Sequence, residues 1–304
     1  MTNLALIPPP VSRSPMAAAQ EPVRNAITPV AQGAPLVDLL KLLSAPAAKT
    51  DSGGSDETLR LWRVRCGATL FHEGADTPWL HSIHTGSFKT LRTGEDGYQQ
   101  VLSMLLPGDM LGFETLCCEQ LPASAVALED STVYALTVGE LATLEQRYPA
   151  FDLAVQRALT RQRVRCTEMA EVMAAVAADA RLARFVLWLS ARMTAQGESP
   201  RRLRLRLGRC DVASLLGLAH ETVSRAFTTL ASTGCLRVNK RELEITDRKQ
   251  LQARARHTHG LPDNDLKTAH GRPVQDRAAA QGRAAETGPR GCARPAGCPR
   301  CCTR

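Results

Sequence analysis

Between Asp211 and Leu230 the chain reads DVASLLGLAHETVSRAFTTL, two helix-length apolar patterns broken by Gly217. Few folds accept such a segment other than a helix, a tight turn and a second helix, with glycine supplying a backbone conformation that a Cβ resists. In the second helix Val223, Phe227 and Leu230 recur at i, i+4 and i+7 and form the core-facing stripe. Glu221, Ser224 and Arg225 share the opposing face at i, i+3 and i+4. A helix with a buried back and a polar edge at its N-terminal end is what reading a DNA major groove requires. Arg225 can offer a forked pair of hydrogen bonds to guanine, Glu221 can accept from cytosine, and Ser224 can act either way. His220 and Thr222 lie at the same end, and Arg209 adds a cation just before the first helix. The competing interpretation is an ordinary helix on which Glu221 and Arg225 form a solvated ion pair.

The texture upstream is different. From Leu59 to Leu136 short apolar runs alternate with turn signals at Gly67, Gly74, Gly86, Gly94 to Gly97 and Pro107-Gly108-Asp109. Strands are expected at Thr69 to His72, Leu80 to His84, Ser87 to Arg92, Gln99 to Leu106 and Ser131 to Leu136, which predicts a small antiparallel jelly roll. Helical texture begins at Val138. After Tyr148-Pro149 a long helix is expected to about Asp179, with Val155, Leu159, Cys166, Met169, Met173 and Val176 spaced by 4, 7, 3, 4 and 3. That near-heptad seam is the mark of a helix that pairs with a second copy; packing within its own domain is the alternative. Ala180 to Met193 reads as another amphipathic helix and Arg202 to Leu207 (RLRLRL) as a strand with a basic outer face. A hairpin over Leu236 to Asn239 and Glu242 to Thr246 makes a wing. The fold class is therefore α+β. Its expected parts are a flexible extension over 1–58 (with one short helix at Leu36 to Leu43), a β-roll over 59–147 and a dimerisation helix over 148–179. A winged helix-turn-helix over 180–251 and a disordered basic tail over 252–304 follow.

Composition narrows the function. The 304 residues carry a net charge of +8 and a pI near 9.1, which suits a nucleic-acid partner. No apolar run is long enough to span a membrane, and no charged region leads into a secretion-signal core, so a cytoplasmic protein is expected. The ten cysteines show no disulfide framework. Cys298-Pro-Arg-Cys301 has half a zinc spacing, but Cys292 and Cys302 do not complete a familiar site, and a basic extension is expected there instead. There is no nucleophile elbow, phosphate loop or metalloprotease spacing, so an enzyme is not expected.

A glycine-punctuated β-roll, a long helix and a winged helix-turn-helix in that order resemble the Crp–Fnr family of bacterial transcription regulators. The resemblance spans Leu59 to Leu251 and rests most specifically on Pro107-Gly108-Asp109-Met110-Leu111-Gly112-Phe113-Glu114 and on His220-Glu221-Thr222-Val223-Ser224-Arg225. It implies a homodimeric activator on a near-palindromic site, with RNA polymerase as a further partner. Glu221, Ser224 and Arg225 match the Fnr-like branch, implying TTGAT-like half-sites. The family's usual signals are not expected. A cyclic-nucleotide site would need an acid and an Arg-Ser pair where this chain has Phe113 and Ala123-Ser124; Glu114, one place on, is expected to face away from that site. The Fnr cluster would need three N-terminal cysteines and one in the roll, where no cysteine precedes Cys66 and Tyr134 stands in the fourth place. His72, His81 and His84 leave a haem open, and Cys117-Cys118 an oxidant response. A haem- or redox-responsive binding module is the alternative function.

Overall fold

The computed structural model of the protein describes residues 26–44 and 57–256. All of them belong to one unit, Met1–Pro262. The cysteine-bearing tail and the expected disorder beyond residue 256 lie outside the described residues.

The extension expected to be flexible supplies three elements: strands β1 (Ile27–Pro29) and β2 (Ala34–Pro35), and helix α1 (Leu36–Leu43). Both strands pair antiparallel with β3 (Thr58–Val64). Helix α1 buries Leu36, Leu39, Leu40 and Leu43. The expectation of a loosely held extension is thus corrected for 26–44, while the short helix lies where its periodicity placed it. Four leucines on one helical face are enough to fix the segment, because each buried leucine contributes about 1.5–3 kcal/mol.

The roll follows as β4 (Thr69–Phe71), β5 (Trp79–Thr85), β6 (Phe88–Thr93), β7 (Gln99–Leu105), β8 (Met110–Leu111), β9 (Ser124–Ala127) and β10 (Ser131–Thr137). One sheet runs β1-β3-β10-β5-β8, with β2 also on β3, and the other runs β4-β9-β6-β7. Their facing sides enclose a core of Val64, Ile83, Val133, Phe88, Leu105, Ala125 and Ala127. The outer side of the first sheet buries Leu59, Leu80 and Leu136 under α1, α2 (Val138–Arg147) and the start of α3 (Pro149–Met173). Thr137 and Glu140 close a reciprocal capping box that starts α2.

A third core lies in the C-terminal part, among α4 (Ala178–Ala195), α5 (Arg209–Leu216), α6 (His220–Ser232), β11 (Arg202–Arg204), β12 (Leu236–Asn239), β13 (Glu242–Ile245) and α7 (Arg248–Arg256). Strand β11 is shorter than the alternation predicts, ending at Arg204, although Leu205 and Leu207 continue the buried set. The expected end of order near Gln252 is also corrected. Helix α7 runs to Arg256 with Leu251 and Arg254 buried, and Arg254 pairs with Asp179 at 3.3 Å.

This third core is continuous with the roll through Val101, Met104 and Leu106. Strand β7 is the edge of its sheet, and an edge strand leaves backbone groups to be satisfied. Ser214 of α5 meets them: its hydroxyl accepts from the Val101 N–H at 2.8 Å and donates to the Gln99 carbonyl at 3.0 Å. Ion pairs frame the joint. Lys89 meets Asp211 at 2.6 Å, and Arg206 meets Glu129 at 2.8 Å. Asp109 at the end of the Pro107-Gly108 turn is buried, accepts from the Leu106 N–H, and is held by Arg165 of α3 and by Arg192 of α4 at 2.6 Å.

Candidate nucleic-acid interface

Helix α6 is aimed by the residues behind it. Val223, Ala226, Phe227 and Leu230 are buried, which turns His220, Glu221 and Arg225 outward as exposed side chains, with Thr222 and Ser224 half-buried beside them. Gly217 takes φ +61° in the turn before it, and a Cβ there would also stand 3.3 Å from Met173 Cε. The positive φ is what favours glycine here, since the methionine tip could shift by a few tenths of an ångström. Ala219 occupies the N-cap and supplies no side-chain hydrogen bond, so the first N–H groups of α6 remain available to an anion such as a backbone phosphate. Glu221 and Arg225 do not form the ion pair of the ordinary-helix interpretation; neither has an ion-pair partner among the described residues. Their hydrogen-bonding groups are uncommitted at the outer edge of the helix.

Not every predicted contact residue joins them. The Arg209 guanidinium lies over the Phe227 ring, 3.4 Å from its centroid, and its Nη1 is buried without a partner. Burial lowers its pKa. It braces the back of α6 instead of extending the reading face. The basic run before α5 divides similarly. Arg201, Arg202 and Arg204 are exposed, whereas Arg206 turns inward onto Glu129 and Glu198. Alternation puts Arg202, Arg204 and Arg206 on one face and could not single out Arg206, whose partner Glu129 is 77 residues away in the chain.

The predicted helix-pairing seam is split. Val155 is buried in the chain's own core beneath α1, and Leu159 packs against the same core. Met169 and Met173 pack on the C-terminal core. Cys166 is exposed, and Val176 lies beyond the end of α3. The exposed large apolar residues of α3 are Leu153 (45%) and Val164 (52%), with Thr160 and Thr167 exposed between and after them. Spaced by 7, 4 and 3, these four keep a near-heptad on a different face of the helix. The period was legible; the α1 cover that takes one side of it was not.

Between the roll and α3 lies a cavity of about 240 Å³, lined in part by Gly112, Glu114, Ala123, Gln162 and Cys166. Glu114 sits in a 3-10 turn at Phe113–Leu116 and faces this space, which corrects the expectation that it points away. Among the described residues no arginine, lysine or histidine lines the cavity. A phosphate there would meet a carboxylate with no cation to offset it. The candidate haem residues fit no better. His72 is exposed. His81 is packed near Trp62 and Phe71, with both ring nitrogens unpartnered and its pKa lowered by burial from 6.5 to about 3. His84 lies edge-on to buried Tyr134. The cavity that His81 lines measures about 10 Å³, room for one water and not for a macrocycle. Among the described residues no group of three or more His, Cys, Asp or Glu is placed to hold a metal, so the residues do not fit a four-thiolate cluster.

Comparison with known proteins bears on the same elements. A family model described as a Crp-like helix-turn-helix domain matches residues 180–254. Another, described as a cyclic nucleotide-binding domain, matches residues 61–148. The transcriptional activator protein anr of Pseudomonas aeruginosa is 31% identical over 206 residues, covering 67% of this chain and 84% of that protein. The transcriptional regulatory protein btr of Bordetella pertussis is 32% identical over 185 residues, covering 61% and 76%. FixK2 from Bradyrhizobium japonicum shares the fold, with a TM-score of 0.58 at 21% identity over 65% of this chain and 97% of its own.

Proposed function

This chain belongs to the Crp–Fnr family of transcription regulators, and from that premise we propose that it binds, as a homodimer, a palindrome of TTGAT-like half-sites through α6. The observation that carries the proposal is the uncommitted edge of Glu221, Ser224 and Arg225 above a fully buried back. Arg225 reads a guanine bidentately, Glu221 accepts from a cytosine amine, and Ser224 adds a contact between them. His220 and Thr222 flank this set, and the exposed Arg201, Arg202 and Arg204 raise the salt-dependent attraction to phosphate.

The dimer forms along Leu153, Thr160, Val164 and Thr167, the face of α3 left exposed among the described residues. A two-fold axis along that helix presents two copies of α6 to successive major grooves, matching a palindrome to the symmetry of the protein. RNA polymerase is the partner of the DNA-bound dimer, and activation is the outcome. No cyclic nucleotide signals through the roll, because among the described residues the cavity offers no cation to a phosphate. Fluorescence anisotropy of purified protein on the TTGAT palindrome, against a scrambled duplex at physiological salt, tests this reading; equal affinity for both would defeat it.

A further inference from the structure

The 3-10 turn Phe113–Leu116 ends in two neighbouring cysteines that the DNA-reading function does not use. Cys117 and Cys118 are both free and exposed, with their sulfurs 3.7 Å apart. The backbone holds them there: the Glu114 carbonyl accepts from the N–H of Cys117 at 3.0 Å and from that of Cys118 at 2.8 Å. The Cys117 thiol donates to the same carbonyl at 3.4 Å. A lone thiol would carry no inference, but a fixed pair is a chelate.

The chemistry of that chelate is restricted. A disulfide is disfavoured, since adjacent Cα atoms stand about 3.8 Å apart and bridged cysteines ordinarily need about 4.4–6.8 Å. A structural zinc site takes four protein ligands, and among the described residues no third metal-binding side chain is grouped with these two. What remains is a soft centre satisfied by two thiolates. Two bonds of about 2.3 Å to one atom reach sulfurs 3.7 Å apart when bent to roughly the tetrahedral angle, whereas a linear centre would need about 4.6 Å. We infer that Cys117 and Cys118 form a dithiol site for a bent thiophilic centre of the trivalent-arsenical class. In that step two S–H bonds break and two As–S bonds form. The oxygen of the arsenical leaves with both protons as water, and nothing is oxidised or reduced. The hydrogen bond and charge of the neighbouring Cys117 raise the Cys118 pKa; closing the ring removes both protons together.

The site is also connected. The same segment begins at Met110, whose N–H donates to Gln162 Oε1 at 3.0 Å and whose carbonyl accepts from Gln162 Nε2 at 3.1 Å, tying it to α3. Occupancy at one end of this short turn is therefore felt at the proposed dimer helix.

The test is titration of the full chain with phenylarsine oxide in excess monothiol, followed by tryptic mass mapping. Fragment 93–147 contains Cys117 and Cys118 as its only cysteines, so it reports this site separately from the tail. The expected result is one phenylarsenic group on that fragment, retained roughly 100-fold or more better than in Cys117→Ser or Cys118→Ser. An unlabelled fragment, or labelling that survives either single substitution, would overturn the site. In a second arm, the arsenical should change palindrome affinity several-fold in the wild-type chain and not in the double Cys117→Ser/Cys118→Ser variant. An equal response in both would overturn the connection to α3. Uptake is measured without DNA, so its failure is distinguishable from failure of the DNA-reading proposal on which the second arm rests.

Discussion

Replacing Asp109 by alanine should be among the most damaging single substitutions in this chain, although it is no part of the proposed DNA-reading edge. The carboxylate is buried, accepts from the Leu106 N–H at 2.9 Å, and is gripped by Arg165 and Arg192. Burial lowers both arginines to about 10, so both stay charged at neutral pH. Asp109→Ala therefore leaves two cations facing each other in a largely dry joint, with Glu168 the remaining nearby countercharge. Removing one partner from a buried ionic group costs about 3–5 kcal/mol. For an ordered region of this size, at about 2–4 °C per kcal/mol, the melting temperature should fall by roughly 6–20 °C. Differential scanning calorimetry measures the fall. Asp109→Leu combined with Arg165→Met and Arg192→Met should recover most of the loss, because apolar replacement removes the stranded charges along with the pair. A loss below about 1 kcal/mol for Asp109→Ala, or no recovery in the triple variant, would refute the reasoning.

Other consequences follow from the same structure. His81 stays neutral in the fold, with its pKa lowered from 6.5 to about 3. The unfolded chain thus binds the extra proton, and stability falls as pH drops below about 6.5, by up to about 1.4 kcal/mol per pH unit until pH 3; urea melts should lose that component of the slope in His81→Phe. Arg225→Ala should weaken palindrome binding by about 1–3 kcal/mol and relax preference at one guanine, read by anisotropy on single-base variants. Val164→Glu should dissociate the dimer in analytical ultracentrifugation with little effect on monomer folding. Val155→Ala should instead lower stability by about 1–3 kcal/mol without shifting the association constant, since Val155 belongs to the core under α1.

The parts of this molecule that were legible in the sequence are those that local periodicity determines. The helix-turn-helix, the wing, α4 and the main roll strands all lie within a few residues of their predicted places, because apolar spacing and turn glycines act over short distances. What escaped depends on partners remote in sequence. Nothing within residues 26–35 announces that β1 and β2 will pair with β3. Val155 reads as part of a dimer seam until Leu39 and Leu43 are known to share its core. Arg209 looks like a phosphate contact until Phe227 is found beneath it. Ser214 is an unremarkable helix residue until the edge of β7 is laid against it. Glu114 was misplaced for a different reason: strand alternation does not govern a residue in a 3-10 turn.

The most direct test combines symmetry with sequence: sedimentation and anisotropy of the purified chain on one duplex bearing two inverted TTGAT half-sites and on the same duplex with one half-site scrambled. Two chains should bind the intact palindrome, and scrambling one half-site should weaken binding by at least tenfold while leaving the salt dependence in place. Binding of a single chain, or equal affinity for both duplexes, would contradict a two-fold reader built on α6.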